Sequence, residues 1–205
     1  MARWRKVLEV PYQEYLLSKY WKLHNRWYNH FMKLYFVRHG QTDENVDMAG
    51  NPADDVPLNQ LGTQQAKNLA IELKDVKFDT IISSPLNRAR QTTELVNENH
   101  QLPIQLDTAW RERDLESYLT LNLWNDSFDF DKDIKLGGIE PLTEFFKRVY
   151  VALDRLKENH DAETVLIVSH GGVQSCLYAY ASKLPLSGNM RIKPMHNCEY
   201  RIFDI

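Results

Sequence analysis

Two histidines, His39 and His170, are each followed directly by a glycine, and Arg38 precedes the first of them. A second arginine, Arg88, comes shortly after a Ser-Ser-Pro sequence. An imidazole with a free lone pair is a nucleophile, and a planar guanidinium donates hydrogen bonds in a geometry that matches phosphate oxygens. Two imidazoles and two guanidiniums suit a phosphoryl group that bears about two negative charges. These four side chains predict phosphoryl chemistry if the fold brings them together.

The elements that must position these side chains are short apolar runs, typical of buried parallel strands. Residues 34–37 lead into the first histidine, residues 165–168 lead into the second, and residues 78–82 precede the helix that carries the second arginine. In open α/β sheets, ligands bind beyond the carboxyl ends of the strands. The glycines would let a ligand approach the backbone closely. A helix predicted to begin at Gly172 would also direct free backbone N–H groups toward an anion.

The rest of the chain alternates between helical and strand patterns. Apolar residues at three- or four-residue steps predict helices, and short apolar runs predict strands. The predicted helices are residues 63–74, 86–97, 141–158 and 172–182, and the further strands are residues 104–106 and 197–204. Residues 117–140 are irregular and polar. This alternation predicts an α/β fold with three layers, α/β/α, around a mostly parallel central sheet.

Residues 1–31 differ from the rest of the chain in composition. Aromatic and leucine side chains recur at helical steps over residues 12–31, which predicts one amphipathic helix. Residues 1–33 carry a net charge of +5, which leaves −8 on the remainder. The helix could pack on the domain or on a second copy in a homodimer, or lie on an anionic membrane; a translation start at Met32 would remove it. We expect a helical extension and a separate domain over residues 32–205.

Composition argues against several partners and compartments. The acidic main body disfavours nucleic acid as a partner, and no apolar run approaches the roughly 20 residues that span a bilayer. The N-terminus lacks the pattern of a signal peptide. Cys176 and Cys198 are the only cysteines, too few for a disulfide framework. We therefore expect a cytoplasmic protein with no nucleic-acid or membrane partner.

Taken together, the motifs resemble those of the histidine phosphatase superfamily, which includes the cofactor-dependent phosphoglycerate mutases. The segments that carry the resemblance are Arg38-His39-Gly40, Asn45, Pro57-Leu58-Asn59-Gln60-Leu61-Gly62-Thr63-Gln64-Gln65-Ala66, Ser84-Pro85-Leu86-Asn87-Arg88-Ala89 and Ser169-His170-Gly171. The similarity runs from Leu34 to the C-terminal strand. It implies a phosphoglycerate mutase-like fold and a histidine-type phosphatase, a phosphoric monoester hydrolase, over residues 32–205.

The resemblance also implies roles for the matched residues. His39 is the expected nucleophile, and Glu112 and His170 complete the expected catalytic set. The residues expected to bind the phosphoryl group are Arg38, Thr42, Asn45, Arg88, His170 and Gly171. Glu112 falls where the family places its general acid, but Glu116 stands where the family has a glycine. Asp114 and Glu116 therefore remain alternative acids.

The expected reaction releases phosphate from a small phosphorylated substrate through a phosphohistidine on His39. This requires a neutral His39 whose other ring nitrogen donates to an acceptor such as a backbone carbonyl. We expect His170 to be protonated and both rings to face a pocket that admits a tetrahedral oxyanion. A mutase, which returns the phosphoryl group to its substrate, and a catalytically idle interaction module are the alternatives. The moderate length of the stretch between Glu112 and Gly137 favours the phosphatase.

No cofactor and no metal ion are expected. The remaining histidines lack the spacing of zinc ligands. Asp129, Asp131, Asp133 and Glu140 match four positions of a calcium-binding loop, but Ile134 stands where that loop needs glycine. A solvated acidic loop is the simpler interpretation.

Overall fold

A computed structural model describes residues 31–47, 51–115, 138–184 and 194–205. The predicted helix at residues 12–31, with the helical extension it belongs to, lies outside the described residues apart from Phe31. So does most of the irregular stretch predicted at residues 117–140. From Met32 onward, the described residues belong to one compact unit.

The described residues form five strands and five α-helices. The strands are β1 (Lys33–Arg38), β2 (Thr80–Ser83), β3 (Ile104–Leu106), β4 (Thr164–Ser169) and β5 (Tyr200–Asp204). The helices are α1 (Asp43–Asp47), α2 (Gln60–Leu73), α3 (Asn87–Asn97), α4 (Leu142–Asn159) and α5 (Gly171–Ala181), and a 3₁₀ turn spans Thr108–Trp110. None of these helices is long and apolar enough to cross a bilayer.

Three predicted boundaries differ by two or more residues from the sequence-based expectation, and one helix was not predicted. Helix α2 begins at Gln60 rather than at residue 63, because the Asn59 side chain caps it by accepting from Gly62 N–H. The last strand begins at Tyr200 rather than at residue 197, because a turn closed by a hydrogen bond from Glu199 N–H to His196 O precedes it. The second strand begins at Thr80 rather than at Phe78, whose buried ring packs edge-on against Tyr35. Helix α1 was not predicted, because it is too short to show an apolar period.

The five strands form one sheet in the order β3-β2-β4-β1-β5. Neighbouring strands are parallel except at the edge, where β5 runs antiparallel to β1. The prediction of a mostly parallel sheet is confirmed.

Helices cover both faces of this sheet. Leu34 and Phe36 of β1 pack in one apolar cluster with the buried faces of α4 and α5. Tyr35 and Val37 face the opposite side and pack in a second cluster with α2 and α3. Fully burying one such apolar side chain contributes about 1.5–3 kcal/mol, so both layers are strongly held. The predicted three-layer arrangement is confirmed.

Strand register aligns the ends of the three motif-bearing strands. Arg38 at the end of β1 pairs with Ser169 at the end of β4, and Ser83 at the end of β2 pairs with Val168 of β4. The His39 N–H donates to the Ser169 carbonyl at 2.9 Å. The residues that follow each strand therefore meet at one carboxyl edge.

Candidate active site

His39 follows β1 directly, and its side chain is only 3% exposed. Its Nδ1 lies 2.7 Å from the carbonyl oxygen of Gly40. Because a carbonyl oxygen can only accept, Nδ1 carries the ring proton and Nε2 keeps its lone pair. The Nε of Arg88 donates to that Nε2 at 3.2 Å. The backbone acceptor expected for the second ring nitrogen is therefore Gly40, and Nε2 is the ring nitrogen with a lone pair.

The environment of His39 keeps its ring neutral. Burial lowers the pKa of His39 well below its ordinary value, and the Arg88 and Arg38 guanidiniums lower it further. The hydrogen bond to Gly40 opposes this shift but is the smaller effect beside burial. A neutral imidazole with a free lone pair is the form that attacks phosphorus.

His170 follows β4 and lies beside His39. The two ring centroids are 5.1 Å apart, with the ring planes at 59°. The Nε2 of His170 is 2.8 Å from Ser84 Oγ. Burial lowers the pKa of His170 well below its ordinary value, and Arg88, His39 and Arg38 lower it further. This direction runs against the expectation of a protonated His170, because burial and nearby cations both disfavour the imidazolium.

Arg38 and Arg88 supply the positive charge near the rings. Arg38 Nη1 donates to the carbonyl of Met195, and Arg88 donates to the carbonyls of Pro52 and Asp54, the latter at 2.6 Å. Burial lowers the pKa of both guanidiniums. Arginine nevertheless stays charged at neutral pH because its intrinsic pKa is so high. Both guanidiniums therefore form charge-assisted hydrogen bonds with backbone carbonyl oxygens.

The histidine pair does not face the open pocket that the sequence predicted. His170 has no exposed surface, and the carbonyls of residues 52–54 and of Met195 lie on the arginine donors. Each guanidinium keeps further N–H donors beyond these bonds, and Arg38 Nε has no hydrogen-bond partner among the described residues. A phosphoryl group can therefore bind both side chains without replacing these carbonyls.

The side chain of Glu112 contacts the N-terminus of helix α5. Its Oε2 accepts from Gly172 N–H at 2.9 Å, and its Oε1 accepts from Arg113 N–H at 3.0 Å. Its charge acts on both Arg38 and Arg88, whose guanidinium pKa values it raises. The backbone N–H group expected to meet an anion is thus taken by this carboxylate. The structure brings Glu112 to the same cationic site as the two histidines.

The alternative acid Asp114 contacts a different part of the chain. Its Oδ1 accepts from Asn51 Nδ2 at 3.0 Å, and Asn51 Oδ1 accepts from Leu115 N–H at 3.1 Å. Asp114 therefore holds Asn51 against the segment that follows Glu112. Asn51 directly precedes the residues whose carbonyls accept from Arg88. Glu116 lies outside the described residues.

Comparison with known proteins identifies the family. Residues 34–205 match the sequence profile of the histidine phosphatase superfamily, branch 1. The chain belongs to this superfamily. That match covers every strand and helix described above apart from Lys33, the first residue of β1.

Similar proteins narrow the activity. The adenosylcobalamin/alpha-ribazole phosphatase of Escherichia coli strain K12 is 32% identical over 180 residues, which span 82% of this chain and 87% of that protein. The probable phosphoglycerate mutase GpmB of Escherichia fergusonii is 30% identical over 177 residues, 82% of each chain. A mycobacterial glucosyl-3-phosphoglycerate phosphatase, solved with VO3, superposes with a TM-score of 0.73 at 26% identity, covering 83% of this chain and 90% of that one. The protein is a histidine-type phosphatase with the phosphoglycerate mutase-like fold, as the sequence predicted.

Thr42 and Asn45 of this histidine phosphatase bracket the first turn of α1. The Asn45 N–H donates to Thr42 Oγ1 at 3.2 Å, and the Thr42 N–H donates to Asn45 Oδ1 at 3.3 Å. Asn197 Nδ2 donates to Asn45 Oδ1 at 3.1 Å and to the His39 carbonyl at 3.0 Å. Because its oxygen is occupied, the amide nitrogen of Asn45 is the atom that can meet a ligand. No sequence motif marks Asn197, since it stands 158 positions from His39.

Close backbone contacts hold the loop after His39. A Cβ built on Gly62 would lie 2.1 Å from Gln41 O, and one on Gly40 would lie 2.5 Å from Gly62 O. Gln41 N–H also donates to Gln65 Oε1 at 2.9 Å. The segment over residues 57–66, which resembled the family pattern, therefore packs against the loop that carries His39 rather than contributing a charged group to it.

Gly171 meets a side chain rather than open space. A Cβ built on Gly171 would stand 3.7 Å from Arg38 Nε, in van der Waals contact. A Cβ would therefore fit at this position, and the Arg38 side chain lies beside the start of α5 without requiring a glycine there. This placement differs from the direct contact with a ligand that the sequence suggested.

Arg148 on α4 organises the segment before Glu112, and sequence inspection missed it. Its Nη1 donates to the carbonyls of Ala109 at 2.8 Å and Arg111 at 3.1 Å, and Ser169 Oγ donates to Trp110 O at 2.7 Å. A guanidinium that binds several carbonyls at a turn fixes the path of the backbone. The position of Glu112 therefore depends on a residue far along the chain.

No group of three or more His, Cys, Asp or Glu side chains in the described ranges is arranged to hold a metal ion. Of the residues that matched a calcium loop, Asp129, Asp131 and Asp133 lie outside those ranges. Glu140 instead binds Arg148, with its two oxygens at 2.8 Å and 2.7 Å from Nε and Nη2. Glu140 thus serves a structural ion pair.

Proposed function

We propose that this phosphatase hydrolyses small phosphomonoesters through a phosphohistidine on Nε2 of His39. The observation that carries the proposal is the ring geometry of His39. Nδ1 donates to the Gly40 carbonyl, and the lone pair of Nε2 accepts from Arg88 Nε beside the His170 ring, a bond that attack on phosphorus would break. Such a nitrogen can form a bond to phosphorus without first losing a proton.

In the first step, Nε2 of His39 attacks the phosphorus and the bond to the leaving oxygen breaks on the far side. Arg38, Arg88 and His170 hold the non-bridging oxygens and stabilise their charge. Glu112 in its protonated form gives its proton to the leaving oxygen, so that an alcohol departs. Glu112 is assigned this role because its carboxyl group lies near both guanidiniums that would bind the phosphoryl group.

In the second step, water attacks the phosphorus while the bond to Nε2 breaks. The Glu112 carboxylate takes one proton from that water, which restores the acid and releases phosphate. His39 returns to its neutral form with the proton still on Nδ1. Asn45, Thr42 and Gly171 complete the set we assign to phosphoryl binding, with Asn45 acting through its amide nitrogen and the other two through the backbone that they shape.

Hydrolysis, rather than return of the phosphoryl group to the substrate, is the outcome we propose. A mutase must exclude water from the phosphoenzyme. The similarity to a probable phosphoglycerate mutase makes this the alternative to test. Release of free phosphate in the absence of a bisphosphorylated primer is expected, whereas a strict need for such a primer would indicate a mutase.

Several further properties belong to the same proposal. We assign residues 32–205 to the phosphatase domain and residues 1–31 to an extension that supports a homodimer. We place the protein in the cytoplasm, acting without a metal ion, membrane or nucleic acid. Activity that persists in excess chelator, and a solution mass of the full chain equal to two copies, are the expected results.

The test compares phosphate release from a panel of small phosphomonoesters by the wild type, His39→Ala and His160→Ala. His160 ends α4 just before β4, at the sheet edge opposite the site, so it is the matched control. Removal of a covalent nucleophile is expected to reduce kcat by about a thousandfold or more, and the control variant should retain wild-type activity. Radiolabelled phosphate from the substrate should be trapped on His39. Full activity of His39→Ala, or a label on another residue, would reject the proposal.

A further inference from the structure

We propose that Ser84 fixes the tautomer of His170, so that His170 presents its Nδ1–H as a donor to the phosphoryl group. Ser84 is then a positioning residue, because it acts through His170. This inference rests on the proposed function, since it assigns a donor to the same phosphoryl site.

The hydrogen bonds of the Ser84 hydroxyl determine where its proton lies. Ser84 is fully buried. Its Oγ accepts from Leu86 N–H at 3.3 Å and lies 2.8 Å from His170 Nε2. Among the described residues, Nε2 is the only hydrogen-bond partner of this hydroxyl that can accept its proton. Buried hydroxyl protons are almost always donated, so the bond runs from Ser84 to His170.

The direction of that bond settles the state of the His170 ring. If Nε2 accepts from the hydroxyl, the ring proton of neutral His170 must be on Nδ1. This Nδ1 is buried and has no hydrogen-bond partner among the described residues. An unsatisfied buried donor is costly, and an oxygen of a phosphoryl group beside His39 would satisfy it. The structure therefore contains an unpaired donor on a ring whose centroid lies 5.1 Å from that of His39.

The two histidines then share one tautomer but use opposite ring atoms. In His39, Nδ1–H donates to the Gly40 carbonyl, and Nε2 carries the lone pair that we propose attacks phosphorus. In His170, Nε2 carries the lone pair that accepts from Ser84, and Nδ1–H is the donor that we propose binds a phosphoryl oxygen. The lowered pKa of His170 fits this arrangement, because a neutral ring already supplies the donor. Protonation of His170 is not needed for binding.

The decisive measurement is the ¹⁵N spectrum of the histidine rings in the full-length wild type, since protonated and unprotonated ring nitrogens have well-separated shifts. Signals of His170 are assigned by comparison with His170→Gln. We expect a protonated Nδ1 and an unprotonated Nε2 in His170. A protonated Nε2, or a fully protonated ring at neutral pH, would overturn the proposal. This readout is independent of phosphoenzyme formation on His39, which tests the proposed function separately.

Variants add a functional readout. Ser84→Ala removes the donor to Nε2, and we expect a mixture of tautomers together with a loss of about tenfold in kcat/KM, as for a lost hydrogen bond to a charged group. Ser84→Thr keeps the hydroxyl and should restore the single tautomer. Ser83→Ala is the matched control, because Ser83 is equally buried but bonds to Ser84 O and Thr93 instead. An unchanged tautomer in Ser84→Ala would show that Ser84 does not set it.

Discussion

At the scale of single residues, hydrogen-bond partners decide what each active-site group can do. His39 and His170 have identical rings and similar burial, yet one faces a carbonyl that can only accept and the other faces a hydroxyl that can donate. Their common loss of basicity comes first from burial. An imidazole ring offers one donor and one acceptor nitrogen, and the atom beside the ring determines which of the two stays available for a ligand.

Glu112→Gln tests the general acid at this scale. Without a proton to donate, kcat for an alkyl phosphate should fall about 10²–10³-fold. Hydrolysis of p-nitrophenyl phosphate should fall much less, because nitrophenolate leaves without a proton. Steady-state kinetics on both substrates measure the difference.

Asp114→Asn is the matched control, since Asp114 bonds to Asn51. We expect it to affect both substrates equally. Equal losses in Glu112→Gln, or a leaving-group-dependent loss in Asp114→Asn, would place the acid elsewhere.

At the scale of elements, parallel strands bring the motifs together and helices orient them. Neighbouring strands β2, β4 and β1 end in register, so the groups that follow them meet at one edge. Helix α4 contributes Arg148, whose guanidinium donates to backbone carbonyls of the segment that precedes Glu112. Glu112, the proposed acid, is therefore positioned by packing between a helix and a turn, not by a strand end.

Arg148→Lys tests that positioning. A lysine keeps the charge but cannot bind Glu140 and several carbonyls at once. We expect kcat for an alkyl phosphate to fall about tenfold, with a smaller loss for p-nitrophenyl phosphate, because a displaced Glu112 is a poorer acid. Arg155→Lys, on the same helix and paired with Asp107 at the surface, should leave both rates unchanged. Equal losses on both substrates would mean that Arg148 acts only through stability.

At the scale of the whole molecule, the buried histidine pair links the site to stability. Both histidines have pKa values below the ordinary 6.5 in the folded state, so the unfolded chain binds more protons in acid. The free energy of unfolding should therefore fall as the pH drops below about 6.5, by up to about 1.4 kcal/mol per pH unit for each histidine.

Urea unfolding at several pH values between 7.5 and 5 measures this slope. His170→Gln should reduce the slope by the contribution of one histidine, whereas Ser83→Ala, which changes no titratable group, should leave it as in the wild type. The same slope in His170→Gln and the wild type would contradict the assignment of a buried neutral ring.

Local patterns in the chain predict the strands β1 to β5, the helices other than α1, the family, and the two histidines and two arginines that the fold brings together. These properties are encoded locally, in the apolar period of each segment and in the residues that follow each strand. Helix α1 and the start of β5 were not predicted, because a short helix and a turn contain too few residues to show a periodic spacing of apolar side chains.

The contacts that join the site residues depend on packing between distant segments of the chain. Ser84 contacts His170, which is 86 positions away in the chain, and Asn197 contacts His39, which is 158 positions away. Arg148 binds the carbonyl of Ala109, 39 positions away, in the turn before Glu112. The tertiary structure also decided that the rings are buried and neutral, since burial and the approach of charges depend on packing. Contacts of this kind arise when the layers close on one another, so no local pattern in the chain records them.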